Sequence, residues 1–197
     1  MPARPQRPRH LNGVASIAYT KLSVRRGIGQ YFRVANLHAS SPLDISFDGG
    51  TNYFTINATD QSFEMNALFH YLFVRTTVDP VAATLTSAAE TYNLTDGFTL
   101  TVIVDGGSVQ TATFNTADFS NIALATALEV AAVINTDITG LTADGSSGSV
   151  VLTTDSLGPT TYSDLEVTGG TGNAELAFST TPVVGTGVTY SIITGEG

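Results

Sequence analysis

The residue types that carry most protein chemistry are scarce in this sequence. It contains no cysteine, which excludes thiolate nucleophiles, disulfides and zinc–thiolate sites. The three histidines, His10, His38 and His70, lie in separate contexts, and their spacing does not indicate a metal site. The glycine-rich stretches 169–172 and 185–187 lack the following lysine of a phosphate-binding loop. We therefore predict no enzymatic activity, no metal and no cofactor.

Carboxylates are abundant, but they do not form the pattern of a catalytic pair. Asp164 and Glu166 alternate on a predicted strand, where nothing indicates the burial that raises the pKa of a catalytic acid. The acidic turns at Asp96, Asp105 and Asp144 do not have EF-hand spacing. A nucleophile elbow of the form G-x-S-x-G is absent as well. The simplest interpretation of the acids is a solvated surface.

The distribution of charge is the most informative property of the sequence. Among 197 residues there are 8 Lys and Arg and 17 Asp and Glu, which gives a net charge of −9. All eight basic residues lie at or before Arg75, whereas residues 76–197 hold thirteen carboxylates and no base. This asymmetry predicts a basic segment that binds an acidic partner. The predicted partner-binding residues are Arg4, Arg7, Arg9, Lys21, Arg25, Arg26 and Arg33.

The predicted partner is a protein. The basic residues of segment 1–33 are spread out between prolines, and no recognition helix or RNP-like aromatic motif accompanies them, which argues against nucleic acid. No apolar run approaches the roughly 18 residues of a membrane-spanning helix, and the N-terminus does not resemble a secretory signal. An acidic protein surface, or the acidic half of a neighbouring copy, is therefore the expected partner.

The elements that would position these residues begin with an extended basic arm over residues 1–29. Three prolines and three arginines occupy the first nine residues, and proline lacks the amide donor of a helix or a central strand. A short strand or an extended docking segment is possible at residues 13–18. We expect deletion of residues 2–12 to remove partner binding and to leave the melting temperature unchanged.

Residues 30–80 predict an antiparallel β-sandwich. Residues 43–47 alternate strictly between apolar and polar types, and a Gly-Gly turn separates them from a second strand, so residues 43–57 predict a hairpin. Residues 68–76 form a further strand rich in aromatic and β-branched side chains. Six of the ten phenylalanines lie in this region, which provides a small core.

Residues 81–92 predict a linker, with a strand that continues between sheets as the alternative. Residues 93–197 predict an acidic α+β unit, in which one helix packs on an antiparallel sheet. Its helix over 127–136 begins with a capping box formed by Thr126 and Glu129. The predicted fold class is therefore mainly β, and the strands and turns of the second unit are residues 98–104, the Asp-Gly-Gly turn 105–107, and residues 109–114, 149–154, 164–168 and 183–193.

Residues 98 to about 180 resemble a module of tailed-phage virion proteins, and also the flagellin hook "IN" motif. The resemblance rests on the DGG turn at 105–107, the Ile134-Asn135 pair near the end of the predicted helix, and the stretch TGGTGNAELAF at 168–178. Modules of this kind share a hairpin, a short helix and a following hairpin. The first part of the chain more weakly resembles phage decoration or connector sandwiches.

The resemblance implies a non-enzymatic virion structural protein of a tailed phage. With the charge pattern, it leads us to expect a capsid decoration or cement protein that binds the major capsid protein or another virion protein on the particle exterior. We expect a homotrimer, made in the host cytoplasm and located in the virion. Two alternatives stay open: a neck, tail or fibre-anchor protein, and a carbohydrate-binding adhesion module that uses Tyr162 or Tyr190.

Overall fold

The structure is a computed structural model, and it describes residues 9–23, 31–38, 40–58, 62–65, 71–159 and 162–195. This part of the chain is mainly β, as the sequence predicts, with antiparallel sheets and little helix. It divides into two compact units. The first comprises Met1–Pro80 and Gly187–Gly197, and the second comprises Val81–Thr186.

The first unit is a sandwich of two four-stranded antiparallel sheets. Its strands are β1 (Arg9–Ala15), β2 (Thr20–Ser23), β3 (Tyr31–Asn36), β4 (Leu43–Ser46), β5 (Phe54–Ile56), β6 (Ser62–Met65), β7 (Tyr71–Thr76) and β15 (Val188–Gly195). The order β1-β15-β3-β6 makes one sheet, here named the β1 sheet, and the order β2-β7-β4-β5 makes the other, named the β7 sheet.

The core of the first unit lies between these two sheets. Apolar side chains at alternate strand positions face inward from both sheets, because successive side chains of a strand point to opposite faces. The predicted hairpin over 43–57 is present, with Leu43 opposite Ile56 and a turn in which Gly49 and Gly50 adopt positive φ. The buried side chains of this core are Ala15, Phe32, Val34, Leu43, Ile45, Ile56, Leu72, Val74, Val188, Tyr190 and Ile192.

The predicted arm over residues 1–29 differs from the structure, because its described part is strand. The strand β1 pairs with β15 from Arg9↔Thr194 to Ala15↔Val188, and β2 pairs with β7. The last proline before β1 is Pro8, and β1 itself contains none, so each of its residues has a backbone amide to donate. The pairing escaped sequence analysis because the partner strand lies at the other end of the chain. Residues 1–8 and 24–29 lie outside the described residues.

The end of the chain also differs from its predicted place in the second unit. The strand β15 lies between β1 and β3 in the first unit, with Ile192 opposite both Leu11 and Val34. The first unit therefore needs the end of the chain to complete its sheet, and residues 30–80 supply only part of the sandwich.

The second unit combines two antiparallel sheets with one long helix. Its elements are β8 (Thr84–Ala89), β9 (Phe98–Val104), β10 (Gln110–Phe114), 3₁₀ turns at Thr116–Asp118 and Ile122–Leu124, α1 (Ala127–Asp137), β11 (Leu141–Asp144), β12 (Ser149–Thr154), β13 (Asp164–Gly169), α2 (Asn173–Leu176) and β14 (Val183–Val184). The order β10-β9-β13-β14 makes one sheet, named the β9 sheet, and the order β11-β12-β8 makes the other, named the β12 sheet. The predicted linker 81–92 contains β8, which pairs with β12.

The helix α1 begins where its sequence predicts. The Thr126 hydroxyl accepts the amide of Glu129, and the Glu129 carboxylate accepts the amide of Thr126, so the capping box is complete. Small apolar residues recur on α1 with the i, i+3, i+4, i+7 spacing of one helix face, and this stripe is buried in the core of the second unit: Ala127, Val130, Ala131 and Ile134. Within the described residues, no helix has the length and hydrophobicity needed to cross a bilayer.

The carboxylate of Glu129 makes the second unit sensitive to acid. It accepts the amides of Thr126 at 3.0 Å and Ser120 at 2.8 Å, and these hydrogen bonds, that of Thr126 first, lower its pKa from 4.5 to about 2. A lowered pKa stabilises the fold above pH 4.5, and this contribution is lost as the pH falls towards about 2. We expect Glu129→Gln to reduce the acid-dependent loss of stability of the second unit.

Urea unfolding followed across this pH range measures the effect. Glu175→Gln, which changes an exposed glutamate of α2, is the matched control and should retain the wild-type pH dependence. An unchanged pH dependence in Glu129→Gln would contradict the role of the capping carboxylate.

Candidate interaction surface

The structure describes only part of the predicted partner-binding set. Arg4, Arg7, Arg25 and Arg26 lie outside the described residues, and of Arg9 only the backbone, at the start of β1, is described. Lys21 lies in β2 and Arg33 in β3. These last two are therefore the predicted residues whose side-chain surroundings the structure shows.

Arg33 forms an exposed ion pair within the β1 sheet. Its Nε lies 3.3 Å from Oε1 of Glu64, the residue directly opposite on β6. About half of each side chain is exposed, so the pair contributes only about 0–1 kcal/mol to stability. Because Glu64 compensates its charge, Arg33 is a weaker candidate for binding an acidic partner than the sequence predicts.

Lys21 lies on the outer face of the β7 sheet against a tyrosine. Its Nζ is 3.7 Å from the ring centroid of Tyr71, a cation–π contact, and both side chains are exposed. A ring does not neutralise a cation as a carboxylate does, so the charge of Lys21 stays available to an anion. A role of Lys21 in partner binding stays a prediction.

A cluster around Arg75 on the same face is a feature that sequence analysis missed. The Arg75 Nε donates to Asp44 Oδ2 at 3.1 Å, and the guanidinium lies 4.5 Å from the ring of Tyr19 and 5.0 Å from that of Tyr53. Asp44 also accepts the hydroxyl of Thr55 at 2.7 Å. The strand register places Asp44 opposite both Arg75 and Thr55, and no local pattern reveals that register.

The hydroxyl of Tyr19 is buried and has no hydrogen-bond partner among the described residues. Burial raises the pKa of this phenol, and the charge of Arg75 opposes the rise. The ring packs so closely on Gly50 that a side chain at that position would overlap it. The Arg75 cluster is therefore a compact structural feature, in which Asp44 already compensates the cation.

The strand register shows where the undescribed basic segments join the first unit. Arg9 is opposite Thr194, and Thr194 is opposite Phe32, so β1 and β3 begin at the same end of the β1 sheet. In the β7 sheet, Ser23 is opposite Tyr71 at the corresponding end. We name this the basic end, because the residues that join it along the chain, 1–8 and 24–30, hold four arginines and no acid.

The chain leaves and re-enters the first unit at the other end of the sandwich. There Ala15 is opposite Val188, and the Asn36 side chain donates to the carbonyl of Ile56, which ties the two sheets together. Leu43 is opposite Thr76 at this same end. Thr76 is four residues before Pro80, the last residue of the first unit before the chain enters the second. The chain therefore leaves and re-enters the first unit at the end of the sandwich where β1 and β7 end and β15 begins.

The net charges of the two units have opposite signs. The first unit holds eight bases against six acids, which gives +2, and the second holds eleven acids and no base. The described part of the first unit contains four bases and four acids, so its charges sum to zero. The excess positive charge of the first unit therefore belongs to segments 1–8 and 24–30. The basic and acidic parts of the sequence therefore correspond to the two folded units.

Several carboxylates of the second unit accept backbone amides. Asp96 accepts the amide of Thr116 at 2.7 Å and Asp144 accepts that of Ser146 at 2.8 Å, and these hydrogen bonds lower the pKa of both acids. Asp164 likewise accepts the amide of Gly106. Among the described residues, no three His, Cys, Asp or Glu side chains group as metal ligands would.

One of the two tyrosines proposed for carbohydrate binding is buried. Tyr190 is only 4% exposed, because it lies in the core opposite Gly13, whose missing side chain leaves space for the ring. The prediction that Tyr190 is available to a sugar is therefore wrong. Tyr162 is half-buried. His38 lies beside a turn, where its Nδ1 accepts the amides of Ser40 and Ser41.

Comparison with known proteins leaves the family open. No protein-family model matches the sequence, and no curated protein matches it. Among solved structures, the chain is similar to the D2-D3 domains of the flagellar cap protein FliD from Escherichia coli, with 11% sequence identity and a TM-score of 0.40. The alignment covers 95% of this chain and 98% of that chain. None of these comparisons identifies a phage virion protein, so that resemblance stays a prediction.

Proposed function

We propose that the protein is a non-enzymatic structural component of a tailed-phage particle. In this proposal it is a decoration or cement protein, and the basic end of its first unit binds an acidic surface of the major capsid protein or another virion protein. The observation that carries the proposal is that both arginine-rich segments, 1–8 and 24–30, join the first unit at one end. The described strand ends that border these segments therefore lie together at one end of the first unit.

Attachment of this kind depends on many weak contacts. One exposed ion pair contributes only about 0–1 kcal/mol, so the four arginines of these segments give a modest affinity in a single copy. Linking copies in a homotrimer multiplies the contacts and raises the effective concentration of each further site. A trimer on the particle exterior is therefore the assembly that we propose.

The second unit contributes solubility and spacing in this proposal. Its eleven carboxylates repel one another and repel an acidic surface, so it is expected to point away from the particle. The hydrogen bonds of Asp96, Asp144 and Asp164 occupy those groups with turns and strand ends. This arrangement supports a role without catalysis.

Cosedimentation with purified particles that lack this protein tests the proposal. We expect Arg25→Ala/Arg26→Ala to reduce the bound copies at least about tenfold, with binding that weakens as salt rises. Arg33→Ala is the matched control and should have a smaller effect, because Glu64 compensates Arg33. Equal binding of the double variant and the wild type would contradict attachment through the basic end.

The number of copies on each particle separates the two positions in the virion. A decoration protein is expected in icosahedral copy number, whereas a neck, tail or fibre-anchor protein is expected in few copies. Gel densitometry of purified particles measures this ratio. A low copy number would reject the decoration role.

A further inference from the structure

Within the described residues, the outer edge of β1 presents a row of backbone groups that no strand pairs with. The amide of Leu37 donates to the carbonyl of Thr189, which identifies the hydrogen-bonded pairs between β3 and β15. Along an antiparallel strand, the backbone groups of successive residues point alternately to one neighbouring strand and to the other side. The residues of β1 whose backbone groups bond to β15 are therefore Arg9, Leu11, Gly13 and Ala15. The amides and carbonyls of the intervening residues point away from the sheet: His10, Asn12 and Val14.

Nothing in the described part of the chain covers this edge. No hydrogen bond to the outward backbone groups of His10, Asn12 or Val14 occurs among the described residues. Leu11 of β1 and Leu22 of β2, which lie on the same side of the sandwich, are only partly buried. An added strand would therefore find both a hydrogen-bonding edge and apolar surface beside it.

Two edges in the second unit are closed by side chains. The side chain of Asn135 binds both the amide of Ala143, at 2.7 Å, and its carbonyl, at 2.8 Å, on the outer edge of β11. On the outer edge of β10, Asp137 accepts the amide of Thr113 at 2.9 Å. Natural sheets block their edges in such ways to prevent pairing with other chains. The edge of β1 has no such block among the described residues.

The other edge strands are poorer candidates. In the described part of the first unit, β2 and β6 have four residues each and β5 has three, against seven in β1. In the second unit, β8 has six residues but belongs to the acidic unit. Length and charge together therefore single out β1.

We propose that the outer edge of β1 binds an extended, acidic segment of the partner protein, which adds a fifth strand to the β1 sheet. This inference rests on the proposed function, since it names how the basic end holds its partner. Backbone hydrogen bonds from His10, Asn12 and Val14 give affinity in this binding mode, and side chains beside them give selectivity.

Charge complementarity is the reason to expect an acidic segment. The strand starts at Arg9, and Arg4 and Arg7 precede it directly in the sequence, with no acid before Asp44. In the acidic unit of a second copy, side chains close the edges of β10 and β11 and β14 has only two residues, so β8 is the edge of that unit that would compete with a partner segment. A flexible acidic segment can present the free backbone that this edge requires.

A blocked ten-residue peptide of alternating threonine and glutamate serves as the probe. We expect the full-length protein to bind it, and to bind the peptide with lysine in place of glutamate at least about tenfold more weakly. Hydrogen exchange should slow at the amides of His10, Asn12 and Val14 when the acidic peptide binds. Equal binding of both peptides, or slowed exchange elsewhere only, would overturn the proposal.

A pair of substitutions separates the backbone from the side chain of Asn12. Asn12→Pro removes an outward amide that β15 does not use, and proline is tolerated on the solvent side of an edge strand. We expect Asn12→Pro to weaken peptide binding about tenfold or more and Asn12→Ala to leave it unchanged. Normal binding by Asn12→Pro would overturn the proposal. If Asn12→Pro does not fold, the hydrogen-exchange measurement on the wild-type protein tests the proposal instead.

Failure of this inference and failure of the proposed function give different results. If Arg25→Ala/Arg26→Ala loses particle binding while Asn12→Pro keeps it, the basic end binds without strand addition. If the wild-type protein does not bind particles at all, the proposed function fails. A dimer in which the amides of His10, Asn12 and Val14 are protected without peptide would assign the edge to a second copy and overturn the acidic partner.

Discussion

Deletion of residues 2–12 is expected to destabilise the first unit by roughly 2–4 kcal/mol, through lost strand pairing and lost burial. The deletion removes Arg9 to Asn12 from β1, and with them the pairing to β15 from Thr194 to Ser191. It also removes Leu11, which packs against the core. Thermal unfolding followed by circular dichroism or calorimetry measures the change as a lower melting temperature.

The shorter deletion of residues 2–8 is the matched control. It removes Arg4 and Arg7, two of the three arginines that the longer deletion removes, and leaves β1 whole, so the melting temperature should stay at the wild-type value. From the sequence, we expected the longer deletion to leave the melting temperature unchanged, and the structure reverses that expectation. Equal melting of the two truncated proteins would show that β1 contributes nothing to stability.

Gly170→Ala is expected to destabilise the second unit by about 2–5 kcal/mol, as strain and overlap add. Gly170 has a φ of +101°, a conformation that other residues rarely adopt. A Cβ at this position would overlap the carbonyl oxygen of Thr99, which itself accepts the amide of Gly172 at 2.8 Å. Because backbone cannot move aside as a flexible side chain can, the strand β9 would have to shift.

Gly97→Ala separates the cost of the backbone conformation from that of the overlap. Gly97 also has a positive φ, +77°, but no atom lies within 4 Å of a Cβ built there. Only the conformational cost applies, so we expect a loss of about 1–2 kcal/mol. Chemical denaturation of both variants provides the comparison. Similar losses in the two would remove the close approach to Thr99 as a cause.

Gly170 lies in the stretch 168–178 on which the phage-module resemblance partly rests. The sequence shows a glycine-rich stretch at 169–172, which is typical of tight turns. The structure shows that this stretch also brings the chain against β9, since the Thr171 hydroxyl accepts the amide of Thr99 at 3.0 Å. The Asn135 of the Ile-Asn pair has an equally specific task, because it closes the edge of β11. Both sequence features on which the resemblance rests therefore make contacts between separate segments of the second unit.

Short-range features of this protein were readable in the sequence. The hairpins over 43–57 and 98–114, the capping box at Thr126 and the buried stripe of α1 each depend on residues close together in the chain. Alternation, turn glycines and capping side chains act over a few residues, so they can be recognised without knowing the rest of the fold. The absence of cysteine and the segregation of charge are likewise properties of the sequence itself.

The arrangement of the candidate surface depends on contacts between distant parts of the chain. Whether Arg9 begins an arm or a strand depends on β15, more than 180 positions later, and the Arg75 cluster depends on the register between β4 and β7. Many strands carry similar alternating patterns, and the energy that selects one pairing comes from burying all of them together. The sequence alone therefore determined the composition, the charge and the local elements of this protein. Only the tertiary structure decided which strands meet, which edge of the described strands lacks a strand partner and where the strands that border the basic segments begin and end, because those outcomes are set by the packing of the whole core.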